Sequence, residues 1–193
     1  MRSKYFLVAL LLIVSFFSSA QKKTNTYKFH SINSLSFLNG ENEVSAGLQS
    51  VNGFQKGNWF AGAGVGLDYY IYRSVPVFAD IRYEFGKSKN KFFAYADCGV
   101  NFAWVEKLLY SDPVIFDGPI VNRGNFQDGF YTDAGMGYNI NFKKIGGLVL
   151  SLGHSRKTLR QDVTYTDWRT QQSTTDIYRY KFNRIAVKVG WRF

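Results

Sequence analysis

Residues Phe92 to Trp104 read FFAYADCGVNFAW. Every second position is apolar: Phe92, Ala94, Ala96, Cys98, Val100, Phe102 and Trp104. The positions between them are Phe93, Tyr95, Asp97, Gly99, Asn101 and Ala103, a mixed set that holds a carboxylate and an amide. A period of two places successive side chains on opposite faces of an extended strand, so this stretch is a strand with one apolar and one mixed face. The pattern recurs three times. Trp59 to Ile71 sets Trp59, Ala61, Ala63, Val65, Leu67, Tyr69 and Ile71 against Phe60, Gly62, Gly64, Gly66, Asp68 and Tyr70. Val75 to Phe85 sets Val75, Val77, Ala79, Ile81, Tyr83 and Phe85 against Pro76, Phe78, Asp80, Arg82 and Glu84. Phe130 to Phe142 sets Phe130, Thr132, Ala134, Met136, Tyr138, Ile140 and Phe142 against Tyr131, Asp133, Gly135, Gly137, Asn139 and Asn141.

Four further segments bring the expected strand count to eight. Phe29 to Leu38 and Glu43 to Phe54 flank Asn39-Gly40-Glu41-Asn42, whose Asn-Gly step favours a hairpin. Gly147 to Thr158 alternates through Leu148, Leu150 and Leu152. The last segment, from about Ile177 to Phe193, sets Ile185, Val187, Val189, Trp191 and Phe193 against Arg184, Ala186, Lys188, Gly190 and Arg192. Above Ile185 its alternation weakens, which a bulge or an extension past a membrane would equally explain. Connections after the second, fourth and sixth segments are short: 55–58, 86–90 and 143–146. The two longest, 106–128 and 159–176, follow the fifth and seventh. Short turns at one end and long loops at the other are the pattern of outer-membrane barrels, whose termini share the periplasmic side.

Alternation alone also fits a soluble, ligand-binding barrel with its apolar face inward. Three features favour the opposite orientation. The mixed face carries charges of both signs (Asp68, Asp80, Arg82, Glu84, Asp97, Asp133, Arg184, Lys188 and Arg192), and a small eight-stranded interior is filled by side chains able to neutralise one another. Aromatics bracket the apolar faces at Trp59 and Tyr69, Phe92 and Trp104, and Phe130 and Phe142. At about 3.3 Å per residue and a tilt of about 45°, those pairs span about 23–28 Å, against an apolar band of about 25 Å between aromatic girdles. Finally, the alternation ends on Trp191 and Phe193.

That terminal alternation resembles the signal that outer-membrane proteins present to their assembly machinery, and the whole of residues 28–193 resembles the family of small, eight-stranded, outer membrane protein A-like barrels. The resemblance implies an all-β, eight-stranded, antiparallel, up-and-down transmembrane β-barrel in the cell outer membrane. It also implies the barrel assembly machinery as a partner, engaged through Trp191 and Phe193.

The N-terminus agrees with export. Arg2 and Lys4 precede an apolar run from Phe6 to Phe17, and Ser18-Ser19-Ala20 places small residues before Gln21. Cleavage between Ala20 and Gln21 is expected. Domain organisation is then a signal peptide at 1–20, a short lead at 21–27 and one barrel at 28–193. Gln21 stands where a lipoprotein needs cysteine, and lone Cys98 has no partner for an intramolecular disulfide. Aromatics make up 18% of the chain, which suits strands and aromatic belts better than helices. Removing Arg2 and Lys4 takes the formal charge from +10 to +8. For an exported chain this points away from nucleic acid and towards lipid head groups, lipopolysaccharide phosphates among them.

Chemistry is sparse. No metal-ligand spacing occurs with His30 and His154 as the only histidines, and Gly62, Gly64 and Gly66 alternate along a strand rather than cradling phosphate. No cofactor is expected. Outer-membrane lipid A deacylases use His and Ser on one face of a strand, whereas His154 and Ser155 are adjacent and point to opposite faces. A barrel-interior charge network of Asp68, Asp80, Arg82, Asp97, Asp133, Arg184 and Lys188 is expected instead, with strand eight opposite the acidic strands. The leading function is a structural or surface-interaction barrel without a catalytic site. A narrow or gated pore is the alternative and a lipid-modifying enzyme the third. The long loops are the candidate recognition elements. Arg156, Lys157, Arg160, Arg169 and Arg179 at the edges of 159–176 are candidates for lipid phosphate. Nothing in the pattern specifies an oligomeric state.

Overall fold

A computed structural model describes residues 27–41, 43–104, 120–142, 146–167 and 169–193. The expected signal segment, with Ala20 and Gln21, lies outside the described residues, as does the lead apart from Tyr27. The strands are β1 (Tyr27–Gly40), β2 (Val44–Lys56), β3 (Trp59–Asp68), β4 (Ser74–Phe85), β5 (Lys91–Ala103), β6 (Ile120–Gln127), β7 (Gly129–Phe142), β8 (Gly146–Thr166) and β9 (Ser173–Arg192). All pairings are antiparallel. In the order β9-β1-β2-β3-β4-β5-β7-β8, with β8 returning to β9, eight strands form one closed ring.

The β6 strand is not a further member of the wall. Both β6 and β7 run antiparallel to β8, which pairs with β7 up to Lys157 and with β6 from Arg160 onwards. They are two lengths of one strand interrupted at Asp128, whose carboxylate accepts the Ala103 backbone N–H at 2.9 Å. A second irregularity falls between Arg123 and Phe126.

Register fixes the shape of the ring. One row of paired residues runs Arg192, Ile32, Val51, Gly64, Phe78, Gly99, Tyr131 and Lys157, then reaches Phe182 on the starting strand. The row returns ten residues from its origin (192 to 182). With about 3.3 Å per residue and about 4.7 Å between strands, this stagger corresponds to a tilt of about 40°, within the range that closed sheets adopt.

The faces are inverted relative to a water-soluble core. Val65 is 47% exposed on the outside, whereas Asp97 is 3% exposed on the inside. Leu48, Ile81, Phe92, Val100, Met136, Leu152 and Val187 are also exposed, while Asp68, Asp80, Asp133 and Arg184 are buried. Small residues make the lining possible. A Cβ on Gly64 would lie 2.5 Å from the Phe78 ring, and one on Gly137 would lie 2.3 Å from the Phe93 ring. The glycines are the sockets of those aromatics.

Several boundaries differ from the sequence reading. β3 ends at Asp68 rather than Ile71, and 69–73 form the connection to β4. The turn after β2 is the two residues Gly57-Asn58, with Gly57 in the left-handed region at φ 61°. The largest correction concerns 159–176. It is not a loop: β8 continues to Thr166 and β9 begins at Ser173, in unbroken register from Gly147↔Arg192 to Thr166↔Ser173. The weak alternation above Ile185 therefore marks an extension and no bulge in this pairing. Similarly, 120–127 of the other expected loop is β6, while 105–119 lie outside the described residues.

Candidate functional site

The alternation of β3, β4, β5, β7, β8 and β9 delivers their mixed faces to one interior, where the charges sort into groups along the axis. Towards the end bearing the β8–β9 extension, Asp68 is held by two cations. Lys157 Nζ donates to Asp68 Oδ1 at 2.9 Å, and Arg184 Nη1 donates to Asp68 Oδ2. Lys157 Nζ also reaches the Tyr70 and Tyr72 carbonyls at 2.8 and 2.7 Å, and Arg184 Nη2 donates to Ser155 Oγ at 2.8 Å. The connection after β3 thus folds over the ring on an ammonium clamp. In a confined, poorly hydrated space each charge requires such partners.

At mid-height, Asp80, Asp97 and Asp133 stand side by side on β4, β5 and β7. Asp80 is bridged by Arg82 at 2.7 Å, two residues along the same face. The Arg82 guanidinium also lies 5.7, 5.4 and 5.9 Å from the rings of Phe60, Phe93 and Tyr95. Lys188 crosses the interior from β9, 2.9 Å from Asp133 and 3.6 Å from Asp97. Tyr95 and Tyr131 hydroxyls donate to the two oxygens of Asp133 at 2.8 and 3.2 Å. At the opposite end, Glu84 receives Arg192 at 2.7 Å, Lys91 at 3.5 Å, and the amides of Gln55 and Asn139 at 2.9 Å each.

All seven expected network residues lie on this inner face, with β9 facing the acidic strands: Arg184 binds Asp68, and Lys188 reaches Asp133 and Asp97. The departure is Lys157. Read from sequence as a surface cation for lipid phosphate, it is fully buried and paired with Asp68. With it, Asp68, Asp80, Glu84, Asp97 and Asp133 face Arg82, Lys157, Arg184, Lys188 and Arg192, so the two signs balance in number inside the ring, and the partly exposed Lys91 is a further cation on Glu84 at its rim.

Apolar side chains fill the remaining space. Ile32, Val51, Phe60, Phe78, Phe93, Tyr95, Tyr131 and Val149 form one buried cluster. Nearer the extension, Tyr72 packs on Phe126, Tyr180 and Phe182 at centroid distances of 4.5, 5.3 and 5.9 Å. Between these groups are two small cavities of about 10 Å³ each, one beside Arg82, Tyr95 and Lys188 and one beside Asp68, Tyr131 and Ser155. That volume is about one water molecule.

His154 is exposed on the outer face and Ser155 buried on the inner one, so they do not converge on a reacting atom. Cys98 is exposed on the outer face. Among the described residues, no three His, Cys, Asp or Glu side chains group as metal ligands, and no helix is long and apolar enough to cross a membrane.

No protein-family model matches the chain, and no curated protein is similar to it. Among solved structures, it is similar to outer membrane protein AlkL, whose structure was determined by solid-state NMR in DMPC bilayers. The match has 12% identity and a TM-score of 0.45, covering 91% of this chain and 92% of that one.

Proposed function

We propose that the chain is an integral β-barrel of the bacterial outer membrane, with a sealed interior and a structural or surface-interaction role. One observation carries this reading: the ring exposes its apolar side chains and buries balanced charges, which is the arrangement a hydrocarbon solvent stabilises and water does not. Sealing is supported by the aromatic filling and by the size of two interior cavities among the described residues, about 10 Å³ each and room for about one water. The opposite faces of His154 and Ser155 weigh against the lipid-modifying alternative. On this reading the partners are outer-membrane lipids and the barrel assembly machinery, the latter engaging outward Trp191 and Phe193 on the strand that closes the ring.

The test is conductance of the purified chain in planar bilayers. Incorporation without unitary currents is the expected result. Steady currents whose ion selectivity changes with Asp97→Asn would overturn the sealed barrel in favour of a narrow pore.

A further inference from the structure

Resting on that membrane reading, we propose that Arg156, Arg179 and Lys181 form a binding site for the phosphate groups of a membrane lipid. All three project from the outer face where β8 and β9 rise above the apolar band. Lys181 lies ten residues from Trp191 on the same face of β9 (191 to 181). At the tilt given by the register, that is about 25 Å along the axis, the full height of an apolar band. Lys181 therefore stands at the level of the far head groups. Arg156 pairs across with Asn183, just below, and Arg179 follows two residues above.

The three cations differ from their neighbours in being uncommitted. Lys157 is buried on Asp68, and Arg160 is bridged to Asp162 at 3.1 Å. Arg156, Arg179 and Lys181 are exposed and have no ion-pair or hydrogen-bond partner among the described residues. Elsewhere this rim is aromatic, with Phe102 and Trp104 exposed at the end of β5 and Phe130 on β7. The β8–β9 side presents positive charge instead. Because the interior charges balance, the formal excess of +8 left after the expected cleavage belongs to the chain's outer parts. Cations set immediately above an apolar wall match a lipid phosphate in both charge and height, with the acyl chains lying along Leu152, Ile185 and Val187. Guanidinium groups add paired N–H donors for phosphate oxygens.

The test reconstitutes the chain into phosphatidylcholine nanodiscs containing lipid A with its phosphates intact or removed, then measures lipid retained after mild detergent extraction. Retention of the phosphorylated form over the dephosphorylated form is expected. It should fall about fivefold for each cation removed in Arg156→Gln, Arg179→Gln and Lys181→Gln, singly and combined. Lys87→Gln with Lys89→Gln, at the opposite end, should leave it unchanged. Equal retention of both lipids, or full retention by the triple variant, overturns the site while leaving the membrane reading intact. Failure of the wild-type chain to enter nanodiscs overturns both.

Discussion

Asp68 and Lys157 show how unequal two members of one ion pair are. Lys157→Met leaves Asp68 with Arg184, whereas Asp68→Asn leaves both Lys157 and Arg184 buried without their counter-charge. Loss of the shared partner of a buried network costs about 3–5 kcal/mol, so Asp68→Asn should be the more destabilising change in unfolding titrations from lipid vesicles. A reversed ranking would mean that the two carbonyl contacts of Lys157 outweigh its charge. On the outer face, Val65→Arg and Val100→Arg should each cost about 2–4 kcal/mol near the midplane of a bilayer. Ser88→Arg in the exposed turn after β4 is the proper comparison. Gly57 is unsuitable, because its left-handed φ of 61° adds backbone strain to any side chain placed there. Three equal costs in lipid would count against the outward apolar face meeting hydrocarbon.

The upper part of β8 and β9 separates what the sequence reveals from what it hides. Within the ring, water is excluded from one face and charge from the other, and Leu148, Leu150 and Leu152 alternate legibly. Past His154 that constraint lapses: Arg156, Thr158 and Arg160 take the outer positions, while Lys157, Leu159, Gln161 and Val163 take the inner ones. Hydrophobic period no longer distinguishes strand from loop, so this length resembles a polar connection and Lys157 a solvated cation. Tyr180 and Phe182 keep the inner parity, but inward aromatics there resemble a loss of alternation because the lining is mixed, with Leu38 and Tyr70 beside the buried Lys157 and Arg184. Tyr95 and Tyr131 were legible as lining residues, yet their bonds to Asp133 depend on a register that no local pattern carries. The extension also has weaker support, since β1 leaves β9 at Arg184 and leaves the β9 edge from 173 to 183 without that neighbour. Amides there should exchange with deuterium faster than those of β8 between 147 and 157. At its tip, the backbone N–H of Arg169 holds the Asp167 carboxyl below the usual carboxylate range. That contribution is present at neutral pH and lost as pH falls through the lowered value, so tip amides should lose protection only in acid.

For the molecule as a whole, the arrangement of short turns at one end and the β8–β9 extension at the other sets an orientation. A tag at Gln171 should be accessible on intact cells and one at Lys89 should not; labelling at Lys89 alone would invert the molecule. Asn122, in the expected loop, pairs with Thr164 within β6 and is a poor insertion point. The ten-residue stagger bears on assembly fidelity. A slip of one residue at the β1–β9 junction would turn the apolar face of the sliding strand inward, and the solvent alone would reject it. A slip of two restores the faces, so lipid is nearly indifferent to it, although circumference and interior volume would change. What discriminates is ionic: such a slip displaces Arg184 and Lys157 from Asp68 by up to about 6.6 Å, beyond contact. The buried charges thus proofread the one alignment error that the hydrophobic effect overlooks, and their value lies in making a single circumference the correct one.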